Sequence, residues 1–281
     1  DSWSQADSLS RPRCGHWAFL LPDGRVTVIG GENGTPHQTG EVEIYDPDTN
    51  AWSFSAPWAK ALKAAAATQL GDGSVLVVGG YRVGYKRDVY RFDWQAGEWT
   101  RLGMMHRGRS HHSMCTLLNG NVLVTGGEGA MELAELYDPE TNRWSNLMMT
   151  GAWRHHHTLP LPGKRAMLIG KEGMLHFDGT EFYRMEPPPE ATEHNTARSL
   201  IDGKILVCGG ESENSKAERR SFVFAPDTLD WTETEPMSEA RAWHTATELD
   251  DGSILLVGGA GLAGNALASV DRFYPGKSYV R

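Results

Sequence analysis

Short apolar runs ending in glycine recur along the whole chain. They are Val28-Ile29-Gly30-Gly31, Val77-Val78-Gly79-Gly80, Val124-Thr125-Gly126-Gly127, Leu168-Ile169-Gly170-Lys171, Val207-Cys208-Gly209-Gly210 and Leu256-Val257-Gly258-Gly259. Their first glycines stand 49, 47, 44, 39 and 49 residues apart. Runs that are apolar throughout predict strands covered on both faces, rather than a sheet with one wet side. A period of 40 to 50 residues is the signature of a repeat architecture. One such unit cannot bury its own faces, so the units must stack.

Each repeat reads as four strands. A run such as His244-Thr245-Ala246-Thr247-Glu248-Leu249 comes first, followed by a two-residue turn: Asp23-Gly24, Asp72-Gly73, Asn119-Gly120, Asp202-Gly203 or Asp251-Gly252. Asn-Gly and Asp-Gly supply the positive φ angles of a tight hairpin. The apolar run is the second strand. A third strand ends in Tyr45, Phe92, Tyr137, Phe177, Phe224 or Phe273, and a fourth carries Trp52, Trp99, Trp144, Phe182 or Trp231. Turns such as Asp46-Pro47-Asp48-Thr49-Asn50 join them, with Pro fixing φ and Asp or Asn bonding its own backbone. The sixth repeat has no fourth strand before Arg281, and Asp1-Ser2-Trp3-Ser4 matches Asn142-Arg143-Trp144-Ser145. The N-terminal strand is therefore expected to complete the last sheet and close the ring, removing its open edges.

The Gly-Gly after an apolar strand, the Tyr or Phe and the later Trp resemble the kelch repeat, over nearly the entire chain. In style (Leu-Pro-Asp-Gly, Tyr-Asp-Pro-Asp-Thr-Asn, Arg-x-x-His) the repeats look like those of bacterial kelch proteins. The resemblance implies an all-β, six-bladed propeller of four-stranded antiparallel blades in one domain, residues 1–281. The blades span approximately 12–55, 62–102, 109–148, 153–185, 193–235 and 241–275 plus 1–6. Repeat four departs from the pattern, with Gly170-Lys171, Phe182 for the Trp and almost no loop, and reads as a compact blade. Ala64 to Ala67 take the first-strand slot of blade two rather than forming a helix.

Bulk properties exclude several classes. A formal charge of −9 with no Lys/Arg run argues against nucleic acid. No stretch approaches the ~18 apolar residues of a membrane helix. No Gly-rich phosphate loop or Gly-x-Ser-x-Gly elbow occurs, so neither a nucleotide cofactor nor a serine hydrolase is expected. Cys14, Cys115 and Cys208 form no disulfide framework, and the latter two read as buried small hydrophobes. A soluble monomer is expected, and because residue 1 is Asp rather than Met its compartment stays open between cytoplasmic and exported.

The candidate chemistry lies in the histidines. Aligned on the hairpin turns, blades one, three and six place His16, His112 and His244 at one position, which Ala65 and Asn195 occupy in blades two and five, and blade four, aligned on Gly170 with one residue of slack, adds His156. His111, His155, His157 and His194 add to the density. The residue after the glycine pair is Glu32, Glu128, Glu172 or Glu211 in four blades, Tyr81 and Ala260 in the others. Both sets are expected at one mouth of a central channel. Neutral imidazoles with carboxylates behind them suit a divalent transition metal: Zn, Fe, Cu or Ni. Glu32, Glu128, Glu172 and Glu211 would then orient the ligands or serve as base. Arg13, Arg109, Arg154 and Arg241 would form a cationic collar for a small substrate, with Trp17, Trp153, Trp243 and Tyr81 walling it. The plainer reading of the same residues is structural: histidines bonding neighbouring blades, arginines in salt bridges, indoles packed between sheets.

Three functions follow from these readings. One is a metal-binding propeller, with metalloenzyme chemistry (oxygenase, lyase or hydrolase) open to it. The alternative is a non-catalytic module that binds a partner protein through the loops of that face, the longest being Glu32 to Gly40, Glu211 to Lys216 and Ala260 to Ala266. A copper oxidase resembling galactose oxidase would need a cross-linked Cys–Tyr pair, which cannot be placed here, and seven blades rather than six.

Overall fold

The structure, a computed structural model, describes residues 6–32, 39–190, 192–212 and 216–276. Six antiparallel sheets follow one another along the chain, each ordered first, second, third and fourth strand, with three strands described in the last. This is a six-bladed β-propeller, and no helix occurs among the described residues. The first strands are Trp17–Leu20, Ala66–Gln69, Ser113–Thr116, His157–Pro160, Thr196–Ser199 and Thr245–Glu248. The second strands are Val26–Ile29, Val75–Val78, Val122–Thr125, Ala166–Gly170, Ile205–Cys208 and Ile254–Val257. The chain packs as two compact units, Asp1–His112 with Gly127–Ala130 and Tyr137–Trp144, and Ser113–Gly126 with Met131–Leu136 and Ser145–Arg281.

The apolar runs of the first five sheets are largely buried, all four residues of Val75–Val78 being 0% exposed, while in the sixth Val257 is 38% exposed. Within each unit the core forms seams between consecutive sheets. Ile29 and Val42 of sheet one meet Val75, Val77 and Phe92 of sheet two, and Leu159, Met167 and Ile169 of sheet four meet Ala197, Ile205 and Val207 of sheet five.

The repeating aromatics are cross-strand pairs. Tyr45 faces Trp52, Phe92 faces Trp99, Phe177 faces Phe182 and Phe224 faces Trp231. Their ring centroids stand 5.1, 5.1, 4.8 and 5.0 Å apart, the spacing at which such pairs stabilise adjacent strands. The intervening turn explains its own sequence. The Asp46 carboxylate accepts the N–H groups of Asp48 and Thr49, Asn50 takes φ +51°, and its amide oxygen accepts the Tyr45 hydroxyl at 2.7 Å.

Sheet four is compact for the expected reason. Gly170 pairs with Gly173, so only Lys171 and Glu172 separate its second and third strands. The segment expected to close the ring, residues 1–6, lies outside the described residues in all but its last position. Residues 33–38 and 213–215, and therefore much of two of the long loops, lie outside them too. Just beyond the first of these gaps, the Asp7 carbonyl accepts the Trp52 indole N–H at 2.9 Å, as the Ala56 carbonyl accepts that of Trp99 at 2.9 Å.

Candidate functional site

The segment entering each first strand is built alike. In five sheets the residue after the glycine pair bridges back to it: Cys14 with Glu32, Lys63 with Tyr81, Ser110 with Glu128, Glu193 with Glu211 and Ala242 with Ala260. In every sheet the residue before the aligned His position then takes a left-handed backbone, with φ between 49° and 63°: Gly15, Ala64, His111, His155, His194 and Trp243. Only Gly15 does so without steric cost. The kink swings the aligned residue inward and leaves the one before it outside.

That kink decides the fate of the histidines. The Cβ of His112, His156 and His244 lies over Gly127, Gly170 and Gly259, in its own sheet. The ring then reaches the preceding sheet, with Cε1 against the first glycine there, Gly79, Gly126 or Gly209. His156 Nε2 meets the Thr125 hydroxyl at 2.8 Å, and His244 Nε2 meets Cys208 Sγ at 3.6 Å. All three are nearly buried at 6–8% exposure, whereas His16 is exposed. Of the four histidines expected to share a metal, the structure thus places three as wedges between sheets, each ring directed at the preceding sheet. Close packing over a glycine leaves no room for a ligand on that side.

Burial lowers the pKa of His244 to about 4, with Arg241 and His157 adding to the effect. The folded value lies below the unfolded 6.5, so the unfolded chain takes up a proton first. The contribution is fully present above pH 6.5 and is lost as pH falls towards 4, up to about 3 kcal/mol. Urea titrations at pH 7.5 and 4.5 should show this loss, and His244→Gln should flatten it.

Three of the four arginines expected as a collar lie in the interior. Arg241 is fully buried, and its guanidinium donates to the carbonyls of Gly258 and Ser269 at 2.8 and 3.1 Å and to Asp271 at 2.7 Å. Arg13 makes the same set with Gly30, Glu41 and Glu43. Arg109 is likewise 0% exposed. Arg13 and Arg241 thereby tie the glycine pair to the third strand, and of the four only Arg154 is exposed. Of the aromatic wall, Trp153 is 0% exposed in the core and Trp17 packs against Trp58 at 6.2 Å, while Tyr81 (45%) and Trp243 (60%) do reach solvent.

The four glutamates do not act as a set. Glu32 approaches Lys63 at 3.9 Å, Glu128 accepts from Ser110 at 3.4 Å, and burial raises the pKa of Glu172. Glu211 takes the expected orienting role, but for a different histidine. Its two oxygens accept His194 Nδ1 at 3.1 Å and the Trp243 indole N–H at 3.2 Å. That carboxylate holds the His194 and Trp243 rings stacked, with centroids 3.4 Å apart and planes at 18°. His155 meets His194 edge-on at 6.1 Å. The three rings line a cavity of about 390 Å³ whose wall includes Arg198 and Asn195. Arg198 escaped the sequence reading because nothing in its repeat position marks it. Its one available signal is the first-strand alternation that sends every second side chain off the sheet. The thiols follow expectation: Cys14 is exposed, and burial pushes Cys115 and Cys208 up to about 12.

Six sheets, glycine-paired second strands and aromatic third-to-fourth strand pairs define a β-propeller of the kelch type. The comparisons agree. A family model described as the KLHDC2/KLHL20/DRC7 Kelch-repeats domain matches residues 1–171. This chain belongs to the kelch-repeat family. Kelch-like protein 25 of Xenopus tropicalis is 31% identical over 127 residues, 44% of this chain and 21% of that protein. Kelch-like protein 24 of Rattus norvegicus is 24% identical over 275 residues, 78% of this chain and 44% of that protein. The chain thus spans less than half the length of these curated relatives. A solved structure titled "Structure of YjhT" superposes with a TM-score of 0.70 at 16% identity, covering 93% of this chain and 94% of that one. That similarity bears on the fold alone.

Proposed function

We propose that this chain is a protein-interaction propeller, which docks a partner on the loops between its second and third strands. The observation that carries this is the hairpin tip of sheet two. Tyr81, Val83 and Tyr85 are 45%, 84% and 44% exposed within five residues. The tip is rigid: Tyr81 bridges to Tyr85, their rings stand 5.6 Å apart, Lys86 N–H donates to Gly80 at 2.8 Å, and the Lys86 ammonium caps the Val83 carbonyl at 2.8 Å. A preorganised apolar loop with two tyrosines loses little entropy on binding, and tyrosine is enriched among the residues that dominate interfaces. In the second unit the corresponding loop of sheet six presents Leu262 at 67% exposure. The family relationship supports the same reading, since the relatives matched are kelch-like proteins.

The test is quantitative cross-linking mass spectrometry in cells of the source organism. Tyr81→Ser/Val83→Ser/Tyr85→Ser should lower recovery of the specific partners by about tenfold or more, the scale of one lost hot spot. Ile201→Ser, a 75% exposed residue beside the Asp202-Gly203 turn, serves as control and should leave recovery unchanged. Equal recovery with both proteins would refute docking at this loop.

A further inference from the structure

Arg198, on the first strand of sheet five, is a solvent-exposed cation on the wall of a concave site, with no counter-ion in contact. Its Nε donates to the Ala246 carbonyl at 2.8 Å, which fixes the plane of the guanidinium. Among the described residues no carboxylate lies within ion-pair distance of it. The surrounding protein lowers its pKa, against smaller opposing effects of Cys208 and Glu248. Glu248 acts on it only from beyond ion-pair distance, and two further carboxylates of the region are engaged elsewhere: Glu193 with Lys171 at 3.1 Å, and Glu211 with His194 and Trp243. A guanidinium in such a place favours a planar anion, which its paired N–H groups meet with two parallel bonds.

The remainder of the cavity specifies what the anion is attached to. Its wall is the stacked His194 and Trp243 pair and His155, held by the Glu211 carboxylate. Flat rings fixed in place favour a flat apolar body lying against them. At about 390 Å³ the cavity falls within the size of small-molecule sites. Two of the neighbouring donors are occupied: His157 Nε2 donates to the Asn195 carbonyl at 2.9 Å, and the Thr196 hydroxyl donates to the His244 carbonyl at 3.0 Å. Arg198 is the permanently charged cation of this lining and so the group that pairs with an incoming acid.

We propose that this cavity of the second unit binds a small aromatic carboxylate, with the acid on Arg198 and the ring against His194 and Trp243. The proposal is independent of partner docking on the hairpin of sheet two.

Isothermal calorimetry on the whole chain tests it, using 1-naphthoate and its neutral isostere naphthalene-1-carboxamide as probes. Naphthoate should bind one-to-one, and the carboxamide about tenfold or more weaker, the scale of a lost charge-assisted contact. Arg198→Gln should bring naphthoate to the affinity of the carboxamide, and Trp243→Ala should weaken both probes. Should the arginine variant fail to fold, the naphthoate-to-carboxamide ratio on the unaltered protein carries the test. No saturable binding of naphthoate up to about 10 mM would overturn the proposal. So would equal affinity for the two probes, or full binding by folded Arg198→Gln.

Discussion

Gly209→Ala will destabilise the protein by about 3 kcal/mol or more, and Gly203→Ala by only about 1–2 kcal/mol. Both glycines have a left-handed backbone, at φ +63° and +82°, so both variants carry the same conformational penalty. They differ in what a new methyl group meets. At Gly203 there is nothing within 4 Å, whereas at Gly209 the Cβ would stand 2.3 Å from the Arg241 carbonyl oxygen and 2.9 Å from His244 Cε1. That carbonyl accepts the Gly210 N–H at 2.9 Å. Relieving the clash therefore separates sheet five from the segment entering sheet six and breaks their hydrogen bond. Urea unfolding followed by tryptophan fluorescence gives both values. Equal losses would show that the strand-end glycines are kept for their φ angles alone.

Arg241→Met will cost about 3–5 kcal/mol, the range for removing one partner of a buried ion pair. The substitution preserves much of the side-chain volume, so the loss is electrostatic. It strands the carbonyls of Gly258 and Ser269 and leaves the Asp271 carboxylate without its cation. Asp271 also accepts the backbone N–H and hydroxyl of Ser238, in the link from sheet five, so the disturbance spreads to that connection. The loss should change little between low and high salt, because a buried pair is screened weakly. Arg220→Met is the comparison. Arg220 pairs with Glu190 and Glu233 at the surface, and its replacement should barely move the unfolding midpoint. A similar shift for the two variants would contradict the account of Arg241 given above.

Much of this architecture is legible in the residues, because it rests on local pattern. Val75–Val78 and its five equivalents can only be strands covered on both faces. Asp-Gly and Asp-Pro-x-Thr-Asn dictate their turns through backbone preferences that hold wherever the residues occur. The Tyr-to-Trp spacing sets the third-to-fourth strand register, since the two rings must face each other across that hairpin. The site was less legible. His112, His156 and His244 were correctly aligned with one another, but alignment fixes a position along the strand and not a side-chain direction. The direction came from the kink at His111, His155 and Trp243, a left-handed backbone that no glycine announces. The same kink left His194 and Trp243 outside to stack on one another, and gave Glu211 a partner other than the expected one.

The sequence alone determined the number of sheets, the order of their strands and which strands form the core, because periodicity and turn chemistry act over a few residues at a time. Tertiary structure decided which neighbour each polar group meets. A ring over a glycine of the preceding sheet, an arginine beneath the carbonyl of its own glycine pair and an unneutralised arginine in a cavity are all contacts between residues distant in the chain. Their partners are set by how sheets stack, and no local spacing encodes that.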